Sequence, residues 1–187
     1  IRDRPVIYAG GGTIASNASD ELRELNSYIK APVTNTLMGL GVYPGTDKYF
    51  LGMLGMHGTY QANMAMHNAD LILAIGARFD DRITNTPSKF APKAKIVHFD
   101  VDHSSVSKII EADIAVFGQV KNSLQAINEK LKLESEEFDE GRFSDWHNQI
   151  ADWRKSHGLN HELYLEVDDS KPVLPQAAVQ HLSLIHI

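Results

Sequence analysis

Apolar residues fall along this chain in short runs, and most runs stop at glycine, proline or an acidic residue. Residues 5–9 (PVIYA) are apolar throughout and end at Gly10-Gly11-Gly12. A run of that length closed by a turn signal predicts a buried strand. Over residues 16–30 the period changes: Leu22, Leu25 and Ile29 recur at helical spacing behind Ser19, a residue type that caps helix starts. Ala31-Pro32 ends that helix, and residues 33–36 predict a second short strand. Residues 37–51 are glycine-rich and hold neither period, so they read as irregular.

The next stretch is the most regular. Residues 59–69 predict a helix with Ala and Met on its inner face. Residues 70–76 (DLILAIG) are apolar almost throughout, as in a strand covered on both faces of a parallel sheet. Residues 94–101 (AKIVHFDV) predict another strand, 104–110 a short helix, 114–117 a further strand, and 120–131 a helix carrying Leu124, Ile127 and Leu131 on one face. Strand and helix alternate at least four times. That order predicts an α/β fold, a doubly wound, mostly parallel sheet with helices on both faces and right-handed crossovers.

The pattern changes at Glu134. Residues 134–142 (ESEEFDEGR) read as an acidic connector. Trp146, Ile150 and Trp153 follow at helical spacing and read as a packing stripe rather than a ligand box. Residues 164–172 read as an extended linker, and 175–182 start another helix. The expected division is a central α/β domain over 1–133, a helical connector and linker over 134–172, and the start of a further domain over 173–187.

Composition narrows the function classes. The chain has 187 residues, 43% of them hydrophobic, enough for one domain with a sizeable core and part of a second. Net charge is −6 with both signs interspersed, so nucleic acid and anionic membrane are poor partners. No apolar run nears the ~18 residues of a membrane span. Cysteine is absent, which removes disulfides and thiolate chemistry and suits a reducing compartment. The opening Ile-Arg-Asp-Arg-Pro resembles neither a signal peptide nor a natural start, so the chain is expected to be cut from something longer.

In an open parallel sheet, ligands gather at the carboxyl ends of strands, and each candidate motif falls at such an end. Gly10-Gly11-Gly12-Thr13-Ile14-Ala15 fits G-x-G-x-x-A after a strand. The dinucleotide fingerprint also needs an acid after the second strand, roughly twenty residues on. That strand ends at Thr34-Asn35-Thr36, which has none, so ordinary NAD binding is excluded. What remains is a tight turn where backbone approaches another group closely, or a plain turn. Gly55-Met56-His57-Gly58 precedes a helix and leaves room for a planar ligand. Its His57 can stack, donate or act as a base, or be structural. Gly76-Ala77-Arg78-Phe79-Asp80-Asp81-Arg82 suits a phosphate or ribityl group with carboxylates fixing the Arg forks, or a solvated loop of ion pairs. Asp100-Val101-Asp102 suits ribose hydroxyls. The nine His show no helical metal-binding pair, and no G-x-S-x-G marks a serine nucleophile.

Taken together, these segments resemble the middle domain of the acetolactate synthase (acetohydroxyacid synthase) large-subunit family of thiamine-diphosphate enzymes. The segments are Tyr8-Ala9-Gly10-Gly11-Gly12, Thr34-Asn35-Thr36-Leu37-Met38-Gly39-Leu40-Gly41, Gly52-Met53-Leu54-Gly55-Met56-His57-Gly58, residues 76–82, and His98-Phe99-Asp100-Val101-Asp102. They occur in family order and spacing, closely over 4–131 and more loosely beyond, as at Lys171-Pro172 and Pro175-Gln176. Two positions depart: Gln119 stands where the family has an acid after glycine, and His103 where a small residue or proline is commoner.

The resemblance implies a Rossmann-like fold and an FAD. Gly10, Gly11 and Gly12 would sit by the phosphates, and Thr36, Leu37 and Met38 would line the flavin side. Leu54, Gly55, Met56 and His57, with Gly76, Ala77, Arg78, Phe79, Asp80 and Arg82, would hold the flavin and its ribityl–pyrophosphate arm. Asp100 and Val101 would meet the adenosine end. It implies thiamine diphosphate and Mg²⁺ in the full-length enzyme, held by flanking domains, with no catalytic or metal-binding residue in this chain. The implied reaction decarboxylates pyruvate and condenses the product with pyruvate or 2-oxobutyrate, in branched-chain amino-acid biosynthesis. A homodimer, a regulatory small subunit and a bacterial-type cytoplasmic setting come with it. The chain alone is expected to be inactive. Residues 182–187 (LSLIHI) resemble translated sequencing adapter rather than the family. The alternatives are a related thiamine enzyme of glyoxylate carboligase or pyruvate oxidase type, and a non-catalytic nucleotide-binding module.

Overall fold

The computed structural model describes residues 2–133, 141–159 and 172–186. They fall into two units, Ile1–His157 and Gly158–Ile187. The first holds six parallel strands: β1 (Pro5–Ala9), β2 (Val33–Asn35), β3 (Phe50–Met53), β4 (Leu71–Ile75), β5 (Lys95–Asp100) and β6 (Ile114–Phe117). Their order across the sheet is β3-β2-β1-β4-β5-β6. Its helices are α1 (Gly11–Ala15), α2 (Ser19–Ile29), α3 (Tyr60–Asn68), α4 (Asp81–Thr84), α5 (Val120–Leu133) and α6 (Ser144–His157). In the second unit the described residues form α7 (Pro175–His186). None of the described helices is long and apolar enough to cross a membrane.

The apolar runs fold into strands because both faces of the sheet are covered. On β1, Val6 and Tyr8 join one core with Ile72, Ala74 and Ile96, roofed by Ala62, Ala65 and Met66 of α3 and Trp146 and Ile150 of α6. Ile7 and Ala9 point the other way, into a core with Val33, Ile75 and Phe99 under Leu22 and Leu25 of α2 and Val120 and Leu124 of α5. The alternation is the period-2 geometry of a strand, and two cores are what make the sheet doubly wound. Trp146 is buried, and its indole N–H donates to the Pro5 carbonyl at 3.1 Å, which pins α6 to the start of β1.

Several elements differ from the sequence expectation. The glycine turn after β1 winds into the single helical turn α1. α2 begins at Ser19 behind Ala18, and no side chain caps it. Ala18 is fully buried and its carbonyl accepts the Leu22 N–H, so packing rather than a hydroxyl sets that start. β3 lies at the end of the stretch read as irregular. Gly52 sits at φ +91° inside it and its register against β2 shifts, so it carries no clean alternation to read. Residues 104–110 form turns instead of a helix. Asp102 takes the Ser104 N–H and both serine hydroxyls of Ser104 and Ser105, and Ser107 enters the left-handed region at φ 57°. The acidic connector over 134–140 and the linker over 164–171 lie outside the described residues. Residues 182–186 continue α7.

Candidate functional site

From β1 the chain steps outward through β2 to β3, then returns to β4 and steps the other way through β5 to β6. The reversal lies between β1 and β4, and at such a switch point the loops diverge and leave a crevice. Two glycine segments meet here. The Gly10 N–H donates to the Ile75 carbonyl at 2.9 Å, and Gly12 N–H to the Gly76 carbonyl at 3.0 Å. A Cβ on Gly10 would lie 2.1 Å from the Gly76 oxygen, and one on Gly76, whose φ is +59°, 2.6 Å from the Thr13 nitrogen. These glycines are therefore required by the crossing of two chain segments. The amides of Gly10, Gly12 and Thr13 all donate within the chain, so the turn is an interlock and not an open cradle of N–H groups. The close backbone approach expected at Gly10–Gly12 exists, and its partner is β4's end.

Above the interlock opens a cavity of about 520 Å³, within the usual range for small-molecule and cofactor sites. Its lining collects twelve of the residues expected at the site: Gly11, Gly12, Thr36, Leu37, Met38, Gly76, Ala77, Arg78, Phe79, Asp80, Arg82 and Asp100. Each comes from the carboxyl end of β1, β2, β4 or β5. The loop after β2 is set by Thr36, whose N–H donates to the Ala9 carbonyl at 3.0 Å and whose hydroxyl accepts the Gly39 N–H at 3.0 Å. That turn leaves Leu37 67% and Met38 74% exposed, two large apolar side chains presented to the crevice.

Opposite them stands the charged loop after β4. Arg78 pairs with Asp80 at 3.1 Å and Arg82 approaches Asp81 at 3.9 Å, all four side chains more than half exposed. Between them Phe79 turns inward at φ 57°, a left-handed conformation rare for an aromatic residue. It is buried against the rings of Tyr8 (5.4 Å), His98 (5.3 Å) and Phe90 (5.8 Å), which hold it there. Phe79 thus anchors the loop and fixes where the two arginines stand.

The third side is acidic. Asp100 ends β5, and Asp102 follows with its carboxyl held below the usual range by the Ser104 and Ser105 hydrogen bonds. Behind this wall, His98 is fully buried and its ring nitrogens make no hydrogen bond; Nε2 lies 3.8 Å from Asp100. Burial holds its pKa below the ordinary imidazole value, against the opposing pull of the Ala77 backbone and Asp100. Tyr8 also lines the cavity, and its buried hydroxyl has no partner. Burial first, then the Asp80 charge, raises its pKa strongly.

Six expected site residues lie off this lining. Gly10 is beneath it, in the interlock. Leu54 is buried in the core, its N–H donating to the Asn35 carbonyl at 3.1 Å. Gly55 is clasped by Asn63, which donates to its carbonyl at 3.1 Å and accepts its N–H at 3.0 Å. Met56 and His57 are exposed on that turn, and the Met56 N–H donates to the Arg82 carbonyl at 3.1 Å. The Gly-Met-His-Gly turn and the charged loop therefore form one tied structure, although the turn does not line the cavity. Val101 is 58% exposed beyond the rim. In the other direction, Tyr8, Ile83 and Ser105 line the cavity without having been singled out as site residues, and Asp81 and Asp102 line it as members of the two candidate acidic motifs. The register of β1 with β4, pairing Tyr8 with Ala74 next to His98, is what brings Tyr8 there.

The arrangement suits one elongated ligand with an apolar face, an anionic middle and a hydroxyl-rich end. Exposed Leu37 and Met38 meet the first, Arg78 and Arg82 the second, and Asp100 and Asp102 the third. Among the described residues no group of three His, Asp or Glu side chains is placed to hold a metal ion.

Comparison with known proteins supplies the family. A family model described as "Thiamine pyrophosphate enzyme, central domain" matches residues 2–127. The chain is 47% identical over 179 residues to the acetolactate synthase large subunit of Buchnera aphidicola subsp. Acyrthosiphon pisum, covering 96% of this chain and 30% of that protein. It is 42% identical over 179 residues to the acetolactate synthase isozyme 3 large subunit of Escherichia coli, with the same coverage. Against acetolactate synthase 1, chloroplastic, of Oryza sativa subsp. japonica it is 42% identical, covering 27% of that protein. The chain thus spans about 30% of the length of the curated relatives it matches. With a doubly wound parallel sheet and a central-domain match over most of its length, the chain belongs to the thiamine pyrophosphate enzymes, as their central domain.

Proposed function

We propose that this chain is the FAD-binding central domain of an acetolactate synthase large subunit. The observation that carries the reading is the switch-point cavity, which exposed Leu37 and Met38 line together with Arg78 and Arg82, each arginine beside a neighbouring aspartate. A flavin dinucleotide has the matching parts: a planar apolar ring, a pyrophosphate and a ribose. Leu37, Met38 and Thr36 would lie against the ring system, Arg78 and Arg82 would meet the pyrophosphate arm, and Asp100 would accept from ribose hydroxyls. The unpaired Tyr8 hydroxyl is a further donor at this cavity. Bound FAD supplies a redox-capable ring, but the proposed net reaction transfers no electrons, so we assign it a structural role. The chain's own residues bind it, orient it and close the crevice between β1 and β4.

The whole protein would condense pyruvate with pyruvate or 2-oxobutyrate, with thiamine diphosphate and Mg²⁺ held by parts of the full-length enzyme outside these residues. A homodimer, a regulatory small subunit and a cytoplasmic setting belong to the same reading, as does a division of the chain near Glu134 and Val173. The support is the similarity to acetolactate synthases over 96% of the chain.

The test is retention of FAD by the purified chain after desalting, read as flavin absorbance co-eluting with protein. We expect saturable retention, weakened about tenfold by Arg78→Ala, the loss of one charge-assisted contact. A chain that stays colourless after FAD is added, or an Arg78→Ala variant that retains it equally, overturns the assignment and favours a nucleotide-binding module of another kind. Acetolactate formation by the chain alone would overturn placing the chemistry outside it.

A further inference from the structure

A second cavity, of about 360 Å³, opens at the β3 edge of the sheet, away from the switch point. Its walls come from three places: Pro32 before β2, Lys48, Tyr49 and Leu51 around the start of β3, and His147, Asn148, Ile150, Ala151 and Arg154 along one face of α6. Its chargeable side chains are basic, Lys48, His147 and Arg154, apart from the Tyr49 phenol, and among the described residues no carboxylate lines it. Among the described residues neither Lys48 nor Arg154 forms an ion pair. The chain as a whole is acidic, with 24 Asp and Glu against 18 Lys and Arg, so a wholly basic lining is set against the composition.

The donors are held in place. Arg154 donates one N–H to the Phe50 carbonyl at 2.6 Å, which leaves the rest of its planar fork for another acceptor. His147 Nε2 lies 2.9 Å from the Lys30 carbonyl, and a carbonyl only accepts, so Nε2 carries the proton and Nδ1 is the uncommitted nitrogen. The ring is packed at 5.2 Å on Tyr49, and the Lys48 ammonium lies 4.8 Å above that same Tyr49. The remaining lining is the Asn148 amide and the hydrocarbon of Pro32, Leu51, Ile150 and Ala151. Basic groups and hydrocarbon thus share the lining on both the β3 side and α6, a combination that fits an amphipathic anion.

We propose that this cavity binds a small carboxylate with a branched or aromatic hydrocarbon body, its carboxylate between Arg154 and Lys48, beside the His147 ring, and its body against Leu51 and Ile150. Arg154 presents a fork that matches a carboxylate's two oxygens. The site is separate from the flavin cavity and shares no lining residue with it.

His147 reports occupancy. Burial, and secondarily the Lys48 charge, hold its pKa below the ordinary value, while the Lys30 carbonyl pulls the other way. The groups facing the ring are Lys48 and Tyr49 from the β3 side, the Lys30 carbonyl, and Phe143 on its own helix, with Arg154 two turns on. None is an acid. A carboxylate arriving here supplies the missing negative charge and raises the His147 pKa.

The experiment is an NMR titration of the chain with 4-methylpentanoate, following the His147 ring protons. 4-Methylpentan-1-ol and inorganic phosphate serve as parallel probes. We expect saturable shifts with the carboxylate, a raised His147 pKa at saturation, and binding at least about tenfold weaker for the alcohol and for phosphate. Lys48→Gln, which removes a charge that makes no ion pair among the described residues, should weaken the carboxylate about fivefold. The proposal fails if the carboxylate does not saturate below about 50 mM, if the alcohol binds as well, if phosphate binds more tightly, or if Lys48→Gln changes nothing. FAD retention by the same sample separates this outcome from that of the flavin assignment.

Discussion

The two cavities of this domain are built from opposite charge arrangements. At the switch point, Arg78 and Arg82 each face an aspartate, and Asp100 and Asp102 add two more acids. At the β3 edge, no acid among the described residues lines the cavity of Lys48, His147 and Arg154. The first cavity balances its own charge: Arg78 donates to Asp80 at 3.1 Å, Arg82 stands 3.9 Å from Asp81, and strand ends supply the rest. The second is uncompensated, because the Lys48 and Arg154 charges have no ion-pair partner among the described residues until an anion joins them. Self-compensated charge goes with a pre-formed site for a large, mixed ligand, and uncompensated charge with a site that selects by sign.

The largest effect should come from breaking the interlock under the first cavity, which the second lacks. Gly76→Ala places a Cβ 2.6 Å from the Thr13 nitrogen at φ +59°, against backbone that has nowhere to move. We expect a loss of about 3 kcal/mol or more in urea unfolding, from steric overlap with added backbone strain. Gly45→Ala is the control. Nothing lies within 4 Å of its Cβ position, and stability should stay within about 0.5 kcal/mol. A Gly76→Ala chain as stable as the parent would mean that β1 and β4 are not locked by these glycines.

The same contrast explains what could be read from the sequence. The flavin-side motifs are contiguous: Gly10-Gly11-Gly12 and residues 76–82 each follow one apolar run, so strand, turn and site chemistry appear together. The strand-end rule then places them in one crevice. What was not legible depended on register and distant packing. Tyr8 reads as one more apolar residue of β1, and only its pairing with Ala74 beside His98 puts it at the cavity. The role of the glycines was half visible, since the sequence shows a close approach but not that the partner is Gly76. The β3 strand hides behind Gly52, and the helix expected over 104–110 is undone by the Asp102 hydrogen bonds. The edge cavity has no motif, because its basic residues are drawn from positions about a hundred residues apart.

A smaller effect tests whether the first cavity is complete without its ligand. The Tyr8 hydroxyl is buried with no partner, which costs stability in the ligand-free chain. Tyr8→Phe keeps the ring contact with Phe79 and should raise stability by about 1 kcal/mol in thermal unfolding, while weakening FAD. A stability loss would show that the hydroxyl is already satisfied in the free protein.

The smallest effect compares the two cavities through their histidines. His98 behind the first and His147 in the second both have pKa values lowered by burial, so the unfolded chain takes up protons that the folded chain refuses. Stability should therefore be flat above the ordinary imidazole value of 6.5 and fall as pH drops below it, by at most about 1.4 kcal/mol per pH unit for each histidine. Asp102 and Asp113 are lowered from 3.8, so their contributions are lost only at more acid pH and leave the window from 6.5 to 5 to histidine. His98 is fully buried and His147 only partly, so His98 should carry the larger share. His147→Gln should then remove less than half of the slope, and 4-methylpentanoate should reduce the slope of the parent but not of that variant. A slope abolished by His147→Gln would place the proton uptake wholly at the edge cavity and leave His98 with no electrostatic part in the fold.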